Sequence, residues 1–117
     1  MTKEMINAAA KELTVGIKHI YGDKLKGVIL FGSCARGDFE SDSDVDIMIL
    51  LGVPKEDVPI ERQKIRAIIS SLDEKYEYAL LISPVIRSYD EFNKWEKVVP
   101  FYQNVQSEGV RYVLPLS

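Results

Sequence analysis

Apolar positions recur along the chain in two spacings, and the switches between them mark out elements. Residues 6, 9, 10, 13, 17, 20 and 21 (Ile, Ala, Ala, Leu, Ile, Ile, Tyr) fall on one side of a helix. Gly22-Asp23 stops it. Leu25–Phe31 reads as a buried strand rich in Val, Ile, Leu and Phe, ending at Gly32-Ser33. The small polar stretch 33–43, SCARGDFESDS, predicts a loop with room for one helical turn. A second strand is predicted over Asp44–Leu51, where Asp44 and Asp46 share a face by the two-residue period. Gly52-Val-Pro54 breaks it, and a second long helix starts near Pro59, with Ile65, Ile68, Ile69, Leu72 and Tyr76 on one side. Tyr78–Val85 predicts a third strand, apolar enough to be central in a sheet. Ser88-x-x-Glu91 has the form of a capping box opening a helix across Phe92 and Trp95. Pro100 interrupts, a further short helix runs to about Ser107, Gly109 ends it, and Val110–Leu114 predicts an edge strand. The order α-β-β-α-β-α-α specifies an α/β (α+β) layer fold, a small mixed sheet with helices packed mainly on one face.

Composition narrows the class without naming a function. The chain has 117 residues with no repeat or low-complexity stretch, so residues 1–117 are treated as one domain. Cys34 stands alone and no intrachain disulfide can form, which points to a reducing, cytoplasmic setting. The longest apolar runs are strand-length, too short to span a membrane, and the N-terminal residues mix both charge signs, unlike a signal peptide. A net charge of −3 offers no global attraction for nucleic acid.

The chemistry concentrates between Phe31 and Asp46. A phosphate-binding P-loop fails, because Asp38-Phe39 follow Gly37 where Lys and Ser/Thr are required. An EF-hand fails too: Asp42, Asp44 and Asp46 have the spacing, but Ile47 replaces the turn glycine and Val53 the final Glu. The hydrolase elbow G-x-S-x-G is absent, since Gly32 directly precedes Ser33. What remains is a Gly-Ser turn ending one strand and an Asp-x-Asp pair opening the next. Gly32 lets the backbone bend and expose its N–H groups, and a following helical turn would favour a phosphate. Ser33 adds a hydroxyl donor. Arg36 adds a charge suited either to phosphate oxygens or to an ion pair with a neighbouring Asp. Two carboxylates side by side on a strand suit Mg²⁺, or Mn²⁺ in its place, which takes one or two carboxylates plus substrate phosphate oxygens. A phosphate cradle facing a metal pair is what phosphoryl or nucleotidyl transfer requires.

Gly32-Ser33, Arg36-Gly37 and Asp44-x-Asp46 match the G-S-x-A-R-G…D-x-D signature, and the chain therefore resembles the DNA polymerase β-like nucleotidyltransferases. Its small size is similar to that of the minimal nucleotidyltransferase group, whose members often pair with HEPN-domain proteins as toxin–antitoxin modules. The resemblance implies that Gly32 and Ser33 contact the phosphates of a nucleoside triphosphate and that Asp44 and Asp46 ligate divalent metal. Active relatives usually carry a third carboxylate on the next central strand. Here Glu77 is the one acidic residue in or beside the stretch Glu77–Ser83, so either Glu77 reaches inward from the strand end or the third ligand is missing.

Other residues have plainer expectations. Asp38, Glu40 and Asp42 decorate the loop. Ser33 alone would serve as a helix N-cap. Cys34 sits at a helix start where a thiol pKa can fall, but no base partner is in view. His19 is expected on the surface near a helix end. Tyr76, Tyr78, Tyr89, Phe92, Trp95, Phe101 and Tyr102 read as core, with Trp95 and Phe101-Tyr102 as the residues that would form a partner surface.

Two functions follow. In the first, the chain is a Mg²⁺-dependent nucleotidyltransferase moving NMP, AMP from ATP, to an acceptor hydroxyl. The acceptor arrives on a HEPN toxin or across a homo-oligomer interface, and this chain is the antitoxin. A small molecule such as an aminoglycoside is a further acceptor class. In the second, transfer activity is lost and the domain neutralises its partner by direct contact.

Overall fold

The computed structural model describes residues 1–113, and in these the pattern resolves into five α-helices and four strands. Helix α1 (Lys3–Tyr21) opens on Thr2, whose hydroxyl accepts from the Met5 N–H at 3.1 Å. That bond satisfies one of the donors a helix start leaves unpaired. Gly22 closes the helix at φ 56 and returns its N–H to the Lys18 carbonyl. The stripe Ile6, Ala9, Ala10, Leu13 and Ile17 is buried; Ile20 is exposed instead, and Tyr21 is the last stripe residue to touch the core.

Strands β1 (Leu25–Phe31) and β2 (Val45–Leu51) pair antiparallel from Leu25↔Leu51 to Phe31↔Asp46. Helix α3 (Val58–Lys75) crosses over to β3 (Ile82–Ser88), which lies parallel to β2. A parallel neighbour needs such a crossover, since a tight hairpin cannot reverse the chain twice. Strand β4 (Val110–Val113) pairs antiparallel with the free side of β1, giving the order β3-β2-β1-β4. The predicted edge strand is thus in place, with Leu114 outside the described residues.

Period-2 alternation sends the strands' side chains to two cores. Val28 and Leu30 of β1 and Val45, Ile47, Ile49 and Leu51 of β2 face α1 and α3 in the larger cluster. Ile29, Phe31, Met48 and Leu50 face a smaller cluster with Tyr89 and Phe92 of α4 (Tyr89–Trp95) and Tyr102 and Val105 of α5 (Pro100–Glu108). Covering is therefore heavier on one face, as expected, but the second face is not bare. Asp46 is in the phase of Met48 and Leu50, so its carboxylate belongs to the α4/α5 side.

Three expectations are corrected. The third strand begins at Ile82 rather than Tyr78, because α3 runs on to Lys75 and the chain then turns through Glu77 (φ 54) and Tyr78 (φ 59). Two consecutive left-handed residues cannot belong to a strand. Ahead of Ile82, Leu80 plugs the core, while Tyr78 and Leu81 are exposed. The strand is also at an edge, which suits Pro84, a residue with no N–H to give an inner ladder. Finally, Ser88 does precede α4, but its side chain makes no capping bond.

The helix pair on the larger core is tied together by polar contacts as well as packing. Gly16 of α1 admits Ile68 of α3 so closely that a Cβ there would lie 3.3 Å from its Cγ2. Lys75 Nζ bonds Glu12 at 2.7 Å, and the Tyr21 hydroxyl donates to the Glu61 carboxylate. Burial and that carboxylate push the Tyr21 hydroxyl pKa up, and the same bond holds Glu61 below its ordinary 4.5. Glu61, depressed in the fold, contributes stability present above about pH 4.5 and lost as pH falls through its lowered value. Tyr21→Phe is expected to cost about 1 kcal/mol at neutral pH and to shrink the acid-side loss. Thermal melts of both proteins between pH 3 and 7 check this; identical pH profiles would show that the bond is not made.

Candidate active site

The register Phe31↔Asp46 sets the end of β1 beside the start of β2, so the Gly-Ser turn and the Asp pair, ten residues and more apart in sequence, meet at one end of the sheet. Gly32 leaves the strand at φ 73, ψ −156, a region open essentially to glycine. A Cβ built there would lie 2.6 Å from Asp46 Oδ2, so the missing side chain is also what admits the carboxylate. Gly32 caps helix α2 (Ser33–Arg36), the single turn expected, and Ser33 is its first residue rather than its N-cap. Gly37 at φ 89 ends it. The Cys34 thiol, buried beneath that turn, donates to the Asp44 carbonyl at 3.5 Å and ties the two halves of the site together. Its pKa is raised, by burial first and then by Asp46, with an opposing bond from Ser33 and a lesser push from Asp44. The thiol is therefore held neutral, the reverse of the lowering a helix start suggested.

Asp46 is half-buried and Asp44 exposed just before β2. Burial pushes the Asp46 carboxyl above its ordinary range, Asp44 adds to the rise, and Arg36 opposes it. A carboxylate stripped of water beside a second one carries an electrostatic cost that a bound cation would relieve. The donor set thus fits a hard divalent ion held by two carboxylates and completed by a ligand's own oxygens. No group of three His, Cys, Asp or Glu residues suited to a metal ion exists among the described residues. Glu77, exposed in the turn before β3, is therefore not gathered with Asp44 and Asp46, and β3 itself carries no acidic residue. Ser83 stands in register with Asp46 on that strand.

Arg36 is exposed and ion-paired on two sides, Nε with Asp38 at 3.4 Å and Nη1 with Glu108 at 3.2 Å. Glu108 also accepts the Gly32 N–H at 3.3 Å. Sequence reading missed Glu108. Extending the antiparallel ladder beyond Leu30↔Val110 brings residue 108 to residue 32, so the signal existed only once β4 was paired with β1. On the same helix, Phe101 lies edge-on to Phe31 at 5.5 Å between centroids and remains partly exposed, while Tyr102 is buried. His19 is exposed in the last turn of α1, as expected, and Trp95 is partly exposed.

A glycine-built turn against paired carboxylates, on a mixed sheet with helices on both faces, defines a nucleotide-transfer fold. Residues 11–110 match the nucleotidyltransferase domain family, and the chain belongs to that family. It is an enzyme of the nucleotidyltransferase class, whose members generally use a nucleoside triphosphate and a divalent metal. Two Methanocaldococcus jannaschii proteins, each provisionally named a protein adenylyltransferase, are similar in sequence. One is 47% identical over 78 residues, covering 65% of this chain and 73% of its own. The other is 34% identical over 104 residues, covering 86% and 91%. Among solved structures, a provisionally assigned nucleotidyltransferase from Sulfolobus solfataricus matches with TM-score 0.58 at 20% identity, over 93% of this chain and 79% of that one. A toxin–antitoxin complex with AMP-PNP matches with TM-score 0.53 at 19% identity, over 86% and 70%. These two establish the fold.

Proposed function

We propose that this nucleotidyltransferase moves AMP from ATP to a hydroxyl on a partner protein, a HEPN-type toxin that it thereby silences. The observation that carries the reading is the meeting of Gly32 with Asp46: a backbone that only glycine adopts, against a carboxylate that only a missing Cβ admits. The protein adenylyltransferase names of the relatives support the donor and the acceptor class, and the AMP-PNP in the toxin–antitoxin neighbour supports an adenine nucleotide.

The roles follow from the chemistry. The Gly32 N–H, the Ser33 hydroxyl and the Arg36 guanidinium donate to the phosphates and hold the chain in line. Asp44 and Asp46 hold Mg²⁺ or Mn²⁺. The cation, when bound, neutralises charge that builds on the departing pyrophosphate. The acceptor oxygen bonds to the α-phosphorus as the bond to the β-phosphate bridge breaks, giving an AMP ester, pyrophosphate and one proton. Arg36 meets charge on the leaving group. Glu77, in its turn, takes no part in that arrangement.

Label transfer from α-³²P-ATP, with Mg²⁺ and the product of the neighbouring gene, tests the proposal. Label on the partner, lost in Asp44→Ala/Asp46→Ala by a factor on the order of 10³, is the expected result. A second reading is favoured by the absence of a three-carboxylate cluster among the described residues: the domain binds and neutralises its partner without transfer. No label, with tight partner binding kept in both proteins, would establish that reading instead.

A further inference from the structure

We infer that Glu108 is a built-in competitor for the phosphate cradle, a carboxylate that the triphosphate must displace and that then helps to expel pyrophosphate. The inference rests on the nucleotide-transfer reading above and goes beyond it, because no phosphate role attaches to α5 from the sequence.

Two donors assigned to phosphate are occupied by one carboxylate. Glu108 Oε1 accepts from the Gly32 N–H at 3.3 Å and from Arg36 Nη1 at 3.2 Å, and Oε2 lies 3.3 Å from the same nitrogen. An amide N–H and a guanidinium converging on one anionic oxygen is the pattern a phosphate would meet. On the other side of Gly32 stands Asp46, whose Oδ2 a Cβ would nearly touch. A triphosphate arriving with Glu108 in place would find these donors taken and a second carboxylate close by, so entry requires exchange.

The exchange is local. Gly109 holds the backbone after Glu108: a Cβ there would lie 2.4 Å from Ile29 Cγ2 and 2.4 Å from the Val105 carbonyl. Rotation about the side-chain torsions of Glu108 is enough to release both donors without moving the backbone, a change of nanoseconds or less. Arg36 keeps its Asp38 contact through Nε while Nη1 changes partner. The three Glu108 contacts are slightly long and the Arg36 end is exposed, which makes the hold weak enough for MgATP to break. When transfer is over, the same carboxylate reclaims Gly32 and Arg36 and opposes rebinding of pyrophosphate.

Titration calorimetry with MgATP and with magnesium pyrophosphate, on the native chain and on Glu108→Gln and Glu108→Ala, tests this. Melting curves establish that each variant is folded. Both variants are expected to bind both ligands more tightly, up to about fivefold, the range an exposed ion pair can set. The gain should shrink as salt rises. Equal or weaker binding by folded variants, with native binding intact, would make Glu108 a strut that positions Arg36 and would overturn the inference alone. Absence of binding by all three proteins would overturn the nucleotide reading and, with it, the inference.

Discussion

Gly32→Ala is expected to cut nucleotidyl transfer sharply and to destabilise the fold at the same time. Two independent costs meet at one atom. The backbone at φ 73, ψ −156 lies where an L side chain is strained by roughly 1–3 kcal/mol. The new Cβ would also fall 2.6 Å from Asp46 Oδ2, closer than van der Waals contact allows. If the backbone relaxes toward ordinary angles, the Gly32 N–H swings away from the phosphate side. If it does not, Asp46 must rotate out of the site. Either way, activity falls by on the order of 10² or more, the usual consequence of misplacing a catalytic group by about 1 Å. Label transfer and a melt on the same preparation check both halves. A variant with native activity would show that this turn does not hold the nucleotide.

Asp46→Asn should separate function from stability. Transfer is expected to drop on the order of 10³, since an amide is a poor ligand for a hard cation and carries no charge. Stability is expected to rise at neutral pH, as when a strained functional site is relieved. The sign follows from the raised carboxyl pKa, caused first by burial and then by Asp44. A carboxyl that binds its proton more tightly in the fold than in the unfolded chain favours the fold at low pH. That favour is lost as pH rises through the folded value, leaving a penalty at neutrality. Melts of both proteins from pH 3 to 8 should therefore converge on the acid side and diverge above it. A lower melting temperature for the variant at pH 7 would contradict this account. Added Mg²⁺ should raise the melting temperature of the native chain and leave that of the variant nearly unchanged.

Much of this was legible along the chain because the relevant physics is local. Helical stripes, the two-residue phase of Asp44 and Asp46, and the break at Gly32-Ser33 depend on neighbours a few residues apart. All were read within a residue or two of where they lie. The third strand was misplaced for an equally local reason. Ala79-Leu-Leu-Ile82 has strand composition, but α3 ends at Lys75 where its stripe does, and the left-handed turn through Glu77 and Tyr78 that follows consumes the start of that run. That shift leaves Glu77 exposed in the turn, and among the described residues it joins no group of three metal-ligating side chains. The thiol of Cys34 was misjudged because burial, invisible in sequence, outweighs a helix turn of four residues.

The existence and order of the elements, the glycine turn, the paired carboxylates and the family to which they belong all follow from patterns over adjacent residues. Tertiary structure alone decided which sheet face holds Asp46, that no third carboxylate gathers with it among the described residues, and that Glu108 occupies the cradle. Those are consequences of β4 pairing with β1 and of α5 packing beside them, contacts 76 residues apart that hydrophobic burial selects and no local pattern encodes.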